Sequence, residues 1–267
     1  MRMHPVKRAA AMMLSAAVTA AFSGCTGSPQ ESAAGQDAPP VTQAAETAAP
    51  EQNETAPAVT EAAAPVRNEA DVRGTIPKVS GEPDWSAVNT LELDQILWEP
   101  DCGIRAFAQL AYDDERLYVH LRAVEKDIRA ENTELLSPVY QDSCLEFFFM
   151  PENETRYFNF EINPNGCLYC GFGHGRKDST ALARGDFAEL FRITSDRTDD
   201  GWEVFYSIPL EYLQLFCPDF AFEGGLRANF YKCGDKTAQK HYLAWNKVNS
   251  EKPDYHRPED FGLLVFG

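Results

Sequence analysis

The sequence is poor in positive charge and contains no hydrophobic run long enough to cross a bilayer. Its 24 Lys and Arg residues stand against 41 Asp and Glu residues, so the formal net charge is −17. Because phosphate groups are bound by clustered basic side chains, this balance argues against nucleic acids and anionic membrane surfaces as partners. The sequence also lacks a nucleophile elbow, a phosphate-binding glycine loop and a His-x-x-His metal pattern. We therefore predict that the protein is not an enzyme.

The N-terminus has the pattern of an export signal rather than of a folded segment. Three basic residues within the first eight positions precede an apolar run over residues 9–22, which is shorter than the roughly 20 residues of a membrane span. Small residues then precede Cys25, and this pattern resembles a bacterial lipoprotein signal. It predicts removal of residues 1–24, a lipid on the Cys25 sulfur, and attachment to the extracellular face of the cell membrane. An ordinary secretory signal that happens to contain a cysteine is the alternative.

The segment after Cys25 lacks the residues that build a core. Residues 26–75 contain no aromatic residue, no Leu and no Ile, and Ala, Pro, Thr, Glu and Gln predominate. Such a composition cannot bury enough apolar surface to offset the entropy of the chain. We predict that residues 25–75 form a disordered linker that holds the following domain away from the membrane.

Residues 76–267 contain all four tryptophans and suffice for one domain with a sizeable core. Apolar and polar residues alternate over short segments that end at Asp-, Gly- or Asn-rich turns, as in half-buried β-strands. We predict an all-β fold, an antiparallel β-sandwich of jelly-roll-like arrangement, with at most a short helix over 128–136 or 210–216. The rows predicted to face the core are Leu117, Val119 and Leu121; Leu145, Phe147 and Phe149; Phe158, Phe160 and Ile162; and Trp202, Val204, Tyr206 and Ile208.

Six cysteines lie in this domain. An exported protein can form disulfides, and six thiols allow up to three, but the spacing leaves their connectivity open. Cys167 and Cys170 have the spacing of a redox or zinc motif, yet no second cysteine pair accompanies them at zinc spacing. We interpret them as buried or half-buried strand residues.

One predicted strand near the C-terminus carries a row of hydrogen-bonding side chains. Arg227, Asn229 and Tyr231 occupy alternate positions and should project from one face. A second short segment then ends at Trp245. A guanidinium, an amide and an indole on one surface suit hydroxyl-rich, uncharged molecules, because an aromatic ring takes the apolar side of a sugar and planar polar groups take its hydroxyls.

Carboxylates and amides occupy the outward positions of two further strands. Glu146 lies on one of them, and Asn159, Glu161 and Asn163 lie on the next. Outward polar residues commonly form just a solvated face. If these strands neighbour that of Arg227, however, their side chains can make paired hydrogen bonds to adjacent sugar hydroxyls. Glu146 and Glu161 are also the one pair that a glycosidase mechanism could use.

Several acidic residues on predicted loops offer hard oxygen ligands that suit calcium. Acidic turn residues usually serve the turn alone, so no metal site is predicted and calcium is the one cofactor left open. The residues concerned are Asp113, Asp114, Asp127, Asp199 and Asp200.

Motifs spread over residues 84–266 resemble those of the family 9 carbohydrate-binding modules, in particular stand-alone domains of bacterial proteins. They include Tyr-Asp-Asp-Glu-Arg-Leu-Tyr-Val at 112–119, Gln-Asp-Ser-Cys-Leu-Glu-Phe-Phe at 141–148, Tyr-Phe-Asn-Phe-Glu-Ile-Asn at 157–163 and Asp-Gly-Trp at 200–202. Further along stand Arg-Ala-Asn-Phe-Tyr-Lys-Cys-Gly-Asp at 227–235, His-Tyr-Leu-Ala-Trp at 241–245 and Pro-Asp-Tyr-His-Arg-Pro at 253–258.

The resemblance implies a β-sandwich that binds plant-type xylan or glucan chains without cleaving them, alongside secreted glycoside hydrolases. It also implies a sugar held between two Trp rings and calcium ions on loops, with Trp245 as one ring and Trp98 as the candidate second ring. Residues 76–267 leave no room for a catalytic barrel of about 250 residues.

Besides a structural envelope domain that binds no small ligand, two other functions remain open. A haem-binding sandwich domain in electron transfer would need axial ligands, for which Met150, Lys232 and His241 are available, although no Cys-x-x-Cys-His attachment motif occurs. A domain associated with a glycoside hydrolase, with weak activity from Glu146 and Glu161, is the other.

Overall fold

The computed structural model describes residues 71–267, which fold into two β-sheets with very little helix. The strands are β1 Val72–Ile76, β2 Leu91–Glu92, β3 Gln95–Ile96, β4 Arg105–Tyr112, β5 Arg116–Val124, β6 Cys144–Pro151, β7 Tyr157–Ile162, β8 Leu168–Gly173, β9 Thr180–Leu182, β10 Thr194–Thr198, β11 Gly201–Pro209, β12 Gly225–Gly234, β13 His241–Ala244 and β14 Gly262–Phe266. The two helices are α1 Phe187–Leu190 and α2 Leu210–Gln214. The predicted all-β sandwich is confirmed. The predicted signal, Cys25 and most of the predicted linker lie outside the described residues.

The larger sheet has nine strands and the smaller sheet has five. The larger sheet runs in the order β1-β14-β12-β6-β7-β8-β9, and β13 joins β12 to β3. The smaller sheet runs in the order β10-β11-β5-β4-β2. All pairings between these strands are antiparallel except that of β1 with β14, which is parallel.

Strand β1 begins at Val72, four residues before the predicted domain boundary at residue 76. The sequence of β1 shows little apolar alternation, and only Ile76 is buried. Its strand conformation therefore depends on pairing with β14, a long-range contact that a local pattern does not report. Of the two predicted short helices, α2 forms within residues 210–216, whereas residues 128–136 contain no helix.

The core between the sheets contains the four apolar rows that the alternation predicts. Phe147 stacks on Phe149 at 4.7 Å and on Phe230 of the neighbouring strand at 4.8 Å between ring centroids. Trp202 is fully buried in the same core. Aromatic pairs of this kind add about 0.5–1.5 kcal/mol to the stabilisation from buried area.

The outer face of the larger sheet is buried as well. A second apolar cluster covers it, formed by outward residues of β6, β7, β12 and β13 together with residues of the loops that fold over them. Tyr231 and Tyr255 stack at 3.9 Å between ring centroids, which joins the strand β12 to the loop before β14. The alternation predicts which residues face outward, but it does not predict that loops cover them.

A buried ion cluster closes one end of the inner core. Lys232 Nζ lies 3.2 Å from Glu125 Oε2 and 2.8 Å from His241 Nε2, and Trp202 Nε1 donates a hydrogen bond to Glu125 Oε1 at 2.7 Å. Burial alone would raise the pKa of Glu125, but the Lys232 ammonium and the Trp202 indole outweigh it and hold that pKa below its ordinary value. The cluster links β12, β13 and the end of β5.

The six cysteines of the domain are all free thiols, although Cys144 and Cys233 face each other across β6 and β12. Within residues 71–267, no helix has the length and apolar character needed to cross a membrane.

The ion cluster generates a prediction for stability. Changing Lys232→Met leaves the Glu125 carboxylate buried without its cation, which should lower the free energy of unfolding by about 3–5 kcal/mol. The double change of Lys232→Met with Glu125→Gln should recover much of this loss, because the amide still accepts from Trp202. Urea unfolding of the three proteins measures the effect.

The matched control is Lys78→Met, which breaks an ion pair with Asp114 whose side chains are 53% and 85% exposed. It should leave the unfolding midpoint nearly unchanged. Equal midpoints for Lys232→Met and the wild type would contradict the structural role given to the cluster.

Candidate functional site

A pocket of about 430 Å³ opens on the outer face of the larger sheet. Its floor comes from β6 and β7, and its walls come from β8, the end of β12, β13 and five loops. The lining residues that carry polar or aromatic groups are Trp98, Tyr140, Glu146, Phe148, Glu161, Tyr169, Arg176, Ser179, Asp235, Tyr242, Asp254, Tyr255 and His256. Aromatic walls with a few converging polar groups are typical of small-molecule sites.

Two glutamates form the polar part of the floor. Glu146 and Glu161 are direct partners across β6 and β7, with Tyr231 and Tyr169 as the next residues in the same row. Side chains in such a row start about 5 Å apart. Both carboxyls are almost completely buried, with 2% and 6% exposure of the residues.

Burial is the largest cause that raises the pKa of both floor carboxyls. For Glu146 the charge of Glu161 adds to burial, and the pKa lies well above its ordinary value. For Glu161 burial outweighs a hydrogen bond from Asn159, and the pKa rises to about 7. The pKa of Glu161 therefore lies near neutral pH, and that of Glu146 is raised in the same direction.

Asn159 holds Glu161 in place from the adjacent position of the same face. Its Nδ2 donates to Glu161 Oε1 at 2.8 Å, and Asn159 itself is fully buried. Gly171 faces it from β8, where a Cβ atom would collide with the Asn159 side chain and with Ser179 Oγ. A glycine is therefore required beneath this part of the pocket.

The aromatic wall is built around Trp98, which follows β3 and is half-buried. Its Nε1 donates to Ser250 O at 2.7 Å, and its ring lies edge-on to Tyr242 at 5.3 Å and tilted to Tyr255 at 5.4 Å. These contacts come from β13 and from the loop between β13 and β14. The indole orientation is therefore fixed before any ligand binds.

Backbone strain occurs at the pocket rim. Trp98 has φ 56° and Leu136 has φ 60°, so two of the three non-glycine residues with positive φ among residues 71–267 line this pocket. The left-handed conformation costs a bulky residue on the order of 1–2 kcal/mol. Such strain is concentrated at functional positions in many proteins.

Charged groups at the rim are paired with one another. Arg176 lies 3.0 Å from Asp254, and Asp235 accepts a hydrogen bond from the Tyr242 hydroxyl and lies 3.6 Å from Lys240. His256 Nδ1 lies 2.6 Å from the Tyr157 hydroxyl. Burial and the nearby Arg176 lower the pKa of His256 to about 4, so this ring is neutral at pH 7.

Three of the predicted site residues, Trp98, Glu146 and Glu161, line the pocket together. Asn163 and Asn229 are fully buried and bind the protein itself. Asn163 Nδ2 donates to Asp142 Oδ2 at 2.8 Å, and Asn229 Nδ2 donates to Asn246 O at 2.9 Å. Both amides hold loops in place and do not reach the pocket.

Trp245 and Arg227 also lie away from the pocket. Trp245 is 6% exposed in the inner core, edge-on to Phe230, and the expectation that it shares the outer face is corrected. Strand alternation explains this, because Leu243 and Trp245 point inward while Tyr242 points outward. Arg227 is half-buried on β12, opposite Met150 of β6. Neither residue is retained as a proposed sugar contact.

Several residues that line the pocket are not predicted from the sequence. Alternation along β13 puts Tyr242 on the face opposite Trp245, and Tyr242 is therefore the aromatic residue of this segment that reaches the pocket. Tyr255 and His256 lie in a motif that carries the family resemblance, but the motif does not show that its loop folds onto the sheet. Tyr169 sits directly beside Glu161 in the sheet, a pairing that only the strand order reveals.

The structure separates the residues proposed for haem and does not test calcium. Lys232 and His241 contact each other in the inner core, whereas Met150 packs on the outer face. Within residues 71–267, no three His, Cys, Asp or Glu side chains converge as metal ligands. Asp113 accepts hydrogen bonds from its own turn, and Asp200 pairs with Arg122 at 2.6 Å.

A β-sandwich with a preformed aromatic pocket on one sheet defines a small-molecule-binding module. The sequence model of carbohydrate-binding family 9 matches residues 82–266. The chain therefore belongs to this family of non-catalytic binding modules, and the predicted family is confirmed.

Solved structures agree with this assignment. A Bacteroides uniformis protein proposed to bind carbohydrate has 25% sequence identity and a TM-score of 0.63, covering 73% of this chain and 98% of its own. A family 9 module from Caldicellulosiruptor kristjanssonii in complex with cellotriose has 16% identity and a TM-score of 0.52, covering 73% and 93%. A family 9 module from the same organism in complex with glucose has 16% sequence identity and a TM-score of 0.50, covering 73% of this chain and 94% of its own. No curated protein matches the chain.

The raised pKa of Glu161 predicts a pH-dependent stability. An unfolded glutamate has a pKa near 4.5, and the folded value is about 7, so the folded state holds this proton more tightly. The stabilisation is complete below about pH 4.5 and is lost as the pH rises through 7. In Glu161→Gln this loss disappears, so its free energy of unfolding relative to wild type should rise by on the order of 1–3 kcal/mol from pH 5 to pH 8.

Urea unfolding at several pH values measures this difference. His241 and His256 act in the opposite direction, because burial lowers both pKa values to about 4 and their contribution is lost as the pH falls from 6.5 towards 4. Both histidines are present in each protein, so their effects cancel in the comparison. Glu115→Gln, at an exposed turn, is the control. Parallel profiles for Glu161→Gln and wild type would contradict a buried carboxyl at this position.

Proposed function

We propose that the outer-face pocket binds poly- or oligosaccharides of the xylan and glucan class without cleaving them. The observation that carries this proposal is the preformed aromatic wall around Trp98 beside two buried carboxyls. Family membership supports it, and so do the related modules bound to cellotriose and glucose. Pocket volume and lining suit one or two sugar rings.

Binding in this pocket combines stacking with hydrogen bonds. The apolar face of a sugar ring packs on the aromatic wall, which contributes roughly 1 kcal/mol beyond area burial. Sugar hydroxyls exchange hydrogen bonds with Glu146 and Glu161, each adding about 1 kcal/mol net. Because association itself is costly, we expect dissociation constants between about micromolar and millimolar.

The cellular setting that we propose follows from the N-terminal sequence. Lipid on Cys25 would attach the protein to the cell membrane on its extracellular face, and the linker would present the domain to insoluble or soluble polysaccharide. Secreted glycoside hydrolases would be its functional partners, since a binding module without catalysis requires an enzyme elsewhere to use the captured chain.

Calorimetry with cello- and xylo-oligosaccharides tests the site. Changing Trp98→Ala removes the stacking surface and should weaken binding at least about tenfold. The control is Trp85→Ala, a half-buried tryptophan that contacts His120 and Phe205 on the smaller sheet and should bind as wild type does. Unchanged affinity for Trp98→Ala would refute the placement, and no heat from any oligosaccharide would refute the function.

A further inference from the structure

The floor glutamates carry the unmatched charge of the pocket. Arg176 is paired with Asp254, and Asp235 faces Lys240. Within residues 71–267, neither Glu146 nor Glu161 forms an ion pair, and the two lie directly opposite each other. Like charges at opposed positions of neighbouring strands destabilise a sheet.

Glu146 also lacks a strong hydrogen-bond donor. In the described part of the chain its carboxyl receives no hydrogen bond from an N–H or O–H group, and the neighbouring donor is the weak Cys144 thiol. Its residue is only 2% exposed, and it lines the pocket. A carboxyl that lines a pocket and has only a weak protein donor gains from a ligand that supplies both donors and positive charge.

The charged groups around Glu146 and Glu161 form no ion pair with either carboxyl in the described part of the chain. Lys232 belongs to the adjacent strand but points to the other face of the sheet, where it binds Glu125. Arg176 attracts both carboxyls, yet its side chain is 60% exposed and bonded to Asp254. The remaining groups that face the pair from β6, β8 and β12 are neutral or weakly acidic: Cys144, Tyr169 and Tyr231.

We infer that the pocket prefers a sugar bearing a protonated amine, such as a β-1,4-linked 2-amino-2-deoxyglucose oligomer, over its neutral glucose counterpart. This inference rests on the proposed carbohydrate binding at the same pocket. An ammonium group has three donors and one positive charge, so it can bridge Glu146 and Glu161 while the ring stacks on the aromatic wall. Uronic acids and phosphorylated sugars are disfavoured by the same carboxyls.

Proton release accompanies this binding. In the free protein, burial raises the pKa of both floor carboxyls, and the charge of Glu161 adds to the shift at Glu146, so the pair holds at least one proton near neutral pH. When the ammonium binds, that proton leaves the pair for the solvent and the amine keeps its own. The affinity for the amino sugar should therefore rise as the pH rises towards 7.

Calorimetry on the wild-type domain compares three matched ligands: the glucosamine trimer, the glucose trimer and the N-acetylglucosamine trimer. At pH 6.5 the glucosamine trimer should bind about tenfold tighter than the glucose trimer. Its apparent enthalpy should vary with the ionisation enthalpy of the buffer, because protons are released. Repeating the titration at high salt separates a buried contact from general attraction to an acidic chain.

Two variants test whether the preference for the amino sugar depends on Glu146. In Glu146→Gln the ratio of the two affinities should fall towards one, whatever the affinity for glucose becomes. Asp196→Asn removes an exposed charge on the smaller sheet and should keep the ratio. Equal affinities with no proton release in wild type would overturn the inference and leave carbohydrate binding intact. No binding of any trimer would overturn both.

Discussion

The larger sheet is buried on both faces, and the rest of the structure depends on this constraint. Inward residues of β6, β7 and β12 pack into the sandwich core, so outward residues of the same strands need a second cover. Loops that carry Trp98, Val139 and Tyr255 provide it. The same loops leave a gap above the centre of the sheet, and that gap is the pocket. The contacts that hold these loops on the sheet therefore also set the shape of the pocket.

Double burial also accounts for the chemistry of the site. A carboxylate on a solvated outer face would be ordinary, but the cover removes water from Glu146 and Glu161 and leaves them opposed. Their raised pKa values, the supporting Asn159 and the glycine beneath it follow from that placement. On the inner face the buried carboxylate of Glu125 is treated differently, because Lys232 pairs with it and also contacts His241. The charge there is neutralised within the protein.

Much of the fold could be predicted from sequence, because a period of two residues fixes which side chains share a face. The rows of Phe147 and Phe158 and the outward position of Glu161 follow from alternation alone. Trp245 shows the limit: its position relative to Asn229 depends on the register of β13 against β12, which local patterns do not contain. The loop that brings Tyr255 onto the sheet is set by packing over long sequence separations. The family resemblance alone points to Trp98, and the orientation of its indole depends on a hydrogen bond to Ser250, which lies 152 residues away in the sequence.

The four tryptophans of the domain offer a direct test of where a sugar binds, because each occupies a different part of the fold. Trp98 lies in the pocket, Trp85 on the smaller sheet, and Trp202 and Trp245 in the inner core. Titration of the ¹⁵N-labelled domain with a β-1,4-linked glucose trimer reports on all four indole N–H signals at once. We expect the Trp98 signal to shift while the other three stay in place. A shift of the Trp245 signal with an unchanged Trp98 signal would contradict it.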